Sequence, residues 1–319
     1  MSANPSHHVA TVVARALTRR FGEFVAVDGI DLSISRGEVV GFIGPNGAGK
    51  STTMRMFCGL LRPTSGQAHV AGFDVLTQAQ DVREHIGYMS QKFSLYGDLS
   101  VRENLRFFAG IYRVPRAERA ARVEYALSMA ALDAHADSLV ATLASGWKQR
   151  LALGCAILHR PPVLFLDEPT SGVEPTARRR FWDLIHALAA DGVTILVSTH
   201  YMEEAEYCHR IALIDRGRIV ASGSPAELRD QGLGGELVEI DCAPLGAALE
   251  RLRDMPGVLD AAVFGDRLHV LLDAAGPGPE RLGAGLRDAG LQAGEARRVR
   301  PSLEDVFVRQ VGGHAHGAP

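Results

Sequence analysis

One stretch constrains the chain more than any other. Gly44–Thr52, GPNGAGKST, satisfies the pattern GxxxxGK[ST] in full. It follows the apolar run VVGFIG and precedes a run compatible with a helix, the strand–loop–helix context that gives the pattern meaning. Gly44, Gly47 and Gly49 let backbone N–H groups curl around phosphate oxygens without a Cβ in the way, with Pro45, Asn46 and Ala48 completing the loop. Lys50 supplies a point charge for β and γ phosphates, and the Ser51 hydroxyl suits Mg2+. Thr52 continues into the helix, whose N-terminus adds favourable potential for an anion.

A second apolar run, VLFLDEP, ends in two acids. Asp167 at its tip can hold a metal directly or through water, and Glu168 can orient or deprotonate an attacking water. His200 ends a third run, VTILVSTH. At a strand end of an open α/β sheet, where ligands bind, it is a candidate γ-phosphate contact.

The 34 basic and 37 acidic side chains leave a formal charge of -3, which argues against a nucleic-acid partner. No apolar run approaches the roughly 18 residues needed to span a bilayer. The first twenty residues lack the pattern of an export signal. Cys58, Cys155, Cys208 and Cys242 are scattered and read as thiols of a reducing cytoplasm. A length of 319 residues suggests two domains.

Strand-like runs alternate with helix-like stretches, as in a mixed sheet covered by helices. Strand-like runs vanish between Tyr96 and Arg160, where Ser100 and Glu103 form a capping box, so residues 96–160 are expected to be a helical subdomain. Ser224-Pro225-Ala226-Glu227 starts another helix, and DQGLGGE reads as a linker. The remainder reads in βαββαβ order, suited to a ferredoxin-like module. The expected fold class is therefore α/β, with a phosphate-loop nucleotide-binding domain over 9–230 and a small α+β domain over 235–311. A disordered tail is expected over 312–319.

From about Val12 to Glu227 the chain resembles the nucleotide-binding subunit of an ATP-binding cassette transporter, and more narrowly the bacterial ABC-2 exporter class with its daunorubicin-resistance-type ATPases. Gly44–Thr52 fits the Walker A loop and Val163–Asp167 fits Walker B. The resemblance implies that Glu168 is the catalytic glutamate and His200 the switch histidine. It implies that Gln91 is the Q-loop glutamine, contacting Mg2+ and water and sensing the membrane partner, and that Phe21 stacks on adenine. The ending RPSLEDVFVRQ also resembles this subfamily.

Two stretches depart from the family. Gln149 and Arg150 set the register of the signature, normally LSGGQ, which here reads LASGW over Leu143–Trp147. In the family this segment covers the γ-phosphate of the opposite subunit, so Ala144 loses a hydroxyl contact that Ser145, Gly146 and backbone amides are expected to replace. A hydrogen bond to a charged group is worth about 1.5–3 kcal/mol. Glu174 stands where the family's D-loop has aspartate.

The resemblance implies ATP and Mg2+ as cofactors, a head-to-tail homodimer closed by two ATP molecules, and separate ABC-2 permease subunits. The implied place is the cytoplasmic face of the bacterial inner membrane, with residues 93–106 as docking surface. A soluble ATPase working on ribosomes or chromosome assemblies is the competing reading, and a ligand-sensing role for the C-terminal module is a third. Glu203, Glu204 and Glu206 read as favourable charge in a helix first turn. Trp182, Phe107 and Phe108 read as core or partner-facing packing. His7, His8, His314 and His316 fall in the expected tails.

Overall fold

The computed structural model describes residues 10–91, 94–231, 233–273 and 278–313. The tail histidines and Phe93, at the start of the expected docking surface, lie outside them. Two compact units result, Met1–Ile219 and Val220–Pro319.

In the first unit, β1 (Ala10–Phe21) and β2 (Phe24–Ser35) form a long antiparallel hairpin. Their alternating apolar and polar residues bury one face, as a sheet packed on a single side requires. β3 (Val39–Ile43) is buried throughout and leads through the glycine-rich loop into α1 (Lys50–Phe57). β4 (Ser65–Val70) and β5 (Phe73–Asp74) complete the antiparallel sheet in the order β2-β1-β4-β5. α2 (Ala79–Glu84) then leads to β6 (Ile86–Met89).

The helical stretch contains α3 (Val101–Ile111), α4 (Arg119–Met129) and α5 (Ser145–Ala156). The Ser100–Glu103 capping box is present, with the Glu103 N–H donating to Ser100 Oγ and the Ser100 N–H donating to Glu103 Oε2. The three helices share a core of Val101, Leu105, Ala126, Leu127 and Leu151.

The chain returns to the sheet at β7 (Val163–Asp167), crosses α6 (Pro175–Ala190) and continues in β8 (Thr194–Thr199), β9 (Arg210–Asp215) and β10 (Arg218–Gly223). The six-stranded order is β10-β9-β3-β8-β7-β6. β3, β6, β7, β8 and β9 run parallel, and β3, β7 and β8 are buried along their whole length, as expected for strands covered on both faces. The antiparallel sheet shares a core with this one through residues such as Leu17, Ile30, Phe42, Phe57 and Phe165.

Parallel pairing decides where the site lies. Ile43 pairs with Thr199, Ser198 with Asp167, and Leu166 with Met89. The residues that follow β3, β8, β7 and β6 therefore emerge side by side at one sheet edge, the place where open α/β sheets bind ligands.

In the second unit, α7 (Pro225–Gln231) carries the expected Ser224–Glu227 capping box. β11 (Glu236–Ile240), β12 (Cys242–Ala243), α8 (Leu245–Arg253), β13 (Val258–Phe264) and β14 (Arg267–Leu272) follow. Then come α9 (Pro279–Asp288), β15 (Gln292–Ala293), β16 (Arg297–Arg298) and α10 (Leu303–Gly313). The main sheet is antiparallel in the order β13-β14-β11-β16, and β12 pairs with β15 separately.

Candidate functional site

The loop after β3 is shaped by two glycines, Gly44 and Gly49, that no other residue could replace without movement. A Cβ on Gly44 would lie 2.1 Å from the carbonyl oxygen of Ile214, and one on Gly49 would lie 2.5 Å from that of Ala26. Gly49 has φ +104° and Gly47 φ +83°, left-handed values that favour glycine. Pro45, Asn46 and Gly47 are exposed, whereas Ala48 is buried and its carbonyl accepts from the Gly217 N–H at 2.9 Å.

Lys50 begins α1, and its ammonium donates to the carbonyl oxygens of Gly44 at 2.7 Å and Pro45 at 3.0 Å, spanning the loop. Burial pushes its pKa below the ordinary lysine value, an effect that the nearby Glu168 and Asp167 carboxylates partly offset. Ser51 Oγ donates to Asp167 Oδ1 at 3.0 Å, so two hard oxygen donors from different elements sit together. Thr52 lies one residue further along α1.

Glu168 is where the strand ends converge. Lys50 Nζ stands 3.8 Å and His200 Nδ1 3.5 Å from Glu168 Oε1, and Gln91 Nε2 donates to Glu168 Oε2 at 2.9 Å. At 3.5 Å the histidine is close without making a hydrogen bond, and its buried Nδ1 has no hydrogen-bond partner among the described residues. Glu168 has φ +49°, a left-handed conformation that costs a non-glycine residue about 1–3 kcal/mol. Its N–H is held by both Ser198 Oγ at 3.0 Å and Ser198 O at 3.1 Å.

Ser198 is a site residue that no motif in the sequence marks. Its hydroxyl donates to Asp167 Oδ1 at 2.6 Å while accepting from Glu168, so one side chain orients both acids. A signal exists: Ser198 is a small polar residue two places before His200, at the end of the run VTILVSTH.

Glu204 stands in the first turn of a short 3-10 helix, Met202–Tyr207, where first-turn charge is expected, and it is fully buried there. Its carboxylate accepts from Thr170 Oγ1 and faces the Arg178 guanidinium at 3.4 Å. An isolated charge cannot be buried cheaply, so packing forces the pair on this side chain.

The sequence-predicted signature residues stand at the start of α5, whose N-cap Ala144 has no capping side chain. Ser145 is exposed and Gly146 half-buried. Trp147 turns into the helical core, its ring 4.4 Å from His135, with the Arg150 guanidinium 4.9 Å from its centroid. Gln149 Nε2 donates to Ser171 O at 3.1 Å, tying α5 to the loop that follows Glu168. Glu174 is the exposed N-cap residue of α6. Phe21, at the hairpin tip, is 47% exposed with the Arg19 guanidinium 4.4 Å over its ring. Trp182 is core, as expected, and Phe107 is partly exposed.

The family described as ABC transporter matches residues 27–171. The probable multidrug ABC transporter ATP-binding protein YbhF of Escherichia coli K12 is 50% identical over 70% of the chain, which spans 39% of that relative's length. The Nod factor export ATP-binding protein I of Burkholderia pseudomallei 1710b is 37% identical over 95% of this chain and 98% of its own. The chain belongs to the ABC transporter ATP-binding protein family. Among solved structures, the dimeric post-hydrolysis state of the ATP-binding cassette MJ0796, bound to ADP and Pi, superposes with a TM-score of 0.60. It is 28% identical and covers 67% of this chain and 98% of that one. That solved cassette holds ADP and Pi, and this chain is an ATP-binding cassette of the same family. No helix among the described residues of this ABC protein is long and apolar enough to cross a membrane.

Proposed function

We propose that this ABC protein is the ATP-hydrolysing subunit of an ABC-2 type exporter that drives efflux of a drug, lipid or other small substrate through separate permease subunits. The observation that carries the reading is the convergence of Lys50, Gln91 and His200 on Glu168 at one sheet edge. The relative named for Nod factor export supports the direction of transport, and the one named a probable multidrug transporter supports a drug-like substrate.

ATP enters with its phosphates in the Gly44–Thr52 loop and its adenine against the exposed face of Phe21. The Lys50 ammonium, which in this structure donates to two loop carbonyls, turns to the β and γ phosphates. Glu168 accepts a proton from, or orients, the water in line with the γ-phosphate. His200 contacts the γ-phosphate through its imidazole, whose Nδ1 side faces Glu168. Gln91 reports the state of Glu168 to the helical subdomain.

Ser51 and Asp167, adjacent hard oxygen donors, fit Mg2+, with Gln91 as a further oxygen. When bound, the ion neutralises charge developing on the phosphates. Ser145 and Gly146 present a hydroxyl and backbone donors to the γ-phosphate of a second copy. Two chains then close head to tail over two ATP molecules, and hydrolysis reopens them. The permease docks on residues 93–106 at the cytoplasmic face of the inner membrane, where Tyr96 is exposed and packs edge-on against Phe107.

The reading sets domain limits at 9–230 and 235–311, whereas the compact units divide between Ile219 and Val220, and it takes the second domain as a ferredoxin-like module. Its β13-β14-β11-β16 order supports that fold, since numbering the four strands along the chain gives 2-3-1-4.

Turnover of the purified chain, alone and with its membrane partner, tests the reading. We expect Glu168→Gln to lower ATP hydrolysis at least about a hundredfold while ATP still binds, and the permease to co-purify with the wild-type chain. Wild-type turnover in Glu168→Gln would contradict the catalytic assignment. A chain that never associates with a membrane subunit would contradict the exporter role.

A further inference from the structure

One carboxylate behind the candidate site joins three segments that the hydrolytic step needs in register. Glu204 lies in the 3-10 helix after His200 and is fully buried. It accepts from the hydroxyl of Thr170, which is two residues after Glu168 and itself buried. It also faces Arg178 Nε at 3.4 Å, in the first turn of α6. That guanidinium donates from Nη2 to Val173 O at 3.3 Å and lies 4.2 Å from the ring centroid of Tyr201, whose ring is 4.1 Å from that of His200. The Tyr201 N–H donates to Thr199 Oγ1 at 3.0 Å, so the Tyr201 backbone is tied to the strand end.

The clamp is not an economical way to make the core stable. Glu204 Oε2 has no hydrogen-bond partner among the described residues, and the Arg178 contact is an ion pair without hydrogen-bond alignment. Buried ionic contacts of this kind are commonly no better for stability than apolar residues of the same volume, and their value lies in fixing one arrangement. Here the arrangement fixed is the separation of Glu168 from His200. Glu168 needs such support, because its left-handed backbone persists only when its surroundings over-determine it.

We propose that Glu204 is a positioning residue for ATP hydrolysis, holding the Glu168 loop through Thr170 and the His200 loop through Arg178 and Tyr201. The proposal rests on the assignment of Glu168 and His200 to the hydrolytic step. Glu204 touches neither the nucleotide loop nor the metal-binding oxygens, so its loss acts on turnover and spares ATP affinity.

The test uses the purified full-length chain and measures kcat, KM for ATP and melting temperature. Glu204→Gln is expected to lower kcat about ten- to a hundredfold with KM within about twofold, because displacement of catalytic groups by ~1 Å has effects of that size. The apolar pair Glu204→Leu with Arg178→Met removes the buried charges and keeps the volume. It is expected to melt no lower than wild type and still turn over slowly. A stable double variant with wild-type kcat would show that the clamp only fills the core, and would overturn the proposal. A KM that rises in step with the fall in kcat would overturn it as well. If Glu204→Gln does not fold, Thr170→Val, which removes one hydroxyl, is read against the same two criteria. Full activity in both Glu168→Gln and His200→Ala would instead reject the hydrolytic assignment, whatever Glu204 does.

Discussion

Ser198 Oγ donates to Asp167 Oδ1 at 2.6 Å and accepts from the Glu168 N–H at 3.0 Å. A single hydroxyl thus fixes the two neighbouring acids, one by its carboxylate and one by its backbone. Removing it leaves the Glu168 N–H with only the Ser198 carbonyl at 3.1 Å. Ser198→Ala is expected to cost about 2–3 kcal/mol of stability, since two hydrogen bonds are lost and one of them is to a carboxylate. Turnover is expected to fall about tenfold or more while ATP binding is kept. Denaturant melts and steady-state kinetics on the same preparation separate the two effects.

The phosphate loop offers a contrast between two of its glycines. A Cβ at position 44 meets the Ile214 carbonyl at 2.1 Å, so Gly44→Ala must displace backbone. Overpacking of that kind costs about 1–3 kcal/mol, and the displaced strand end is expected to abolish ATP binding. At Gly47 nothing lies within 4 Å of the place a methyl group would take, and only the left-handed backbone, φ +83°, resists alanine. That costs about 1–2 kcal/mol, so Gly47→Ala is expected to retain measurable ATP affinity. Calorimetric titration of both variants distinguishes them.

Ser145 is exposed at the first turn of α5, and the proposed head-to-tail dimer uses it against the second copy's nucleotide. Ser145→Ala is expected to weaken ATP-dependent association about tenfold while leaving nucleotide binding to the monomer unchanged. Sedimentation at several protein concentrations reads the first quantity and fluorescence titration the second.

The helix that opens the helical subdomain has a pH signature. Glu103 accepts the Ser100 N–H, and this bond holds its carboxyl below the usual glutamate range. A folded-state pKa below the unfolded one contributes stability that is complete above the unfolded value and is lost as pH falls through the folded value. Wild type should therefore exceed Glu103→Gln at about pH 6, and the two should converge toward about pH 3. Urea midpoints across that range check the sign, and a constant difference would contradict it.

Much of the fold is legible in the sequence because the residues carrying it obey local rules. GPNGAGKST announces its own loop, the apolar strand runs announce their burial, and Ser100 and Glu103 cap the helix that their spacing predicts. The strand-end placing of Glu168 and His200 is legible from their apolar runs, whereas Gln91 is marked only by the family resemblance. What escapes is whatever depends on three-dimensional neighbours. Ser198 looks like an ordinary strand residue until Asp167 is placed beside it by pairing. Glu204 looks like no more than favourable first-turn charge until Thr170 and Arg178 close around it. Trp147 looks like damage to a contact segment, and its ring is packing for the helical core instead.

The most direct measurement is molar mass by light scattering of the Glu168→Gln chain with ATP and Mg2+. Two chains closing over ATP through Ser145 and Gly146 require a mass twice 34.3 kDa with nucleotide, one chain without it, and no dimer in Lys50→Ala. A mass that stays at one chain under saturating ATP would contradict the head-to-tail homodimer built on the LASGW segment.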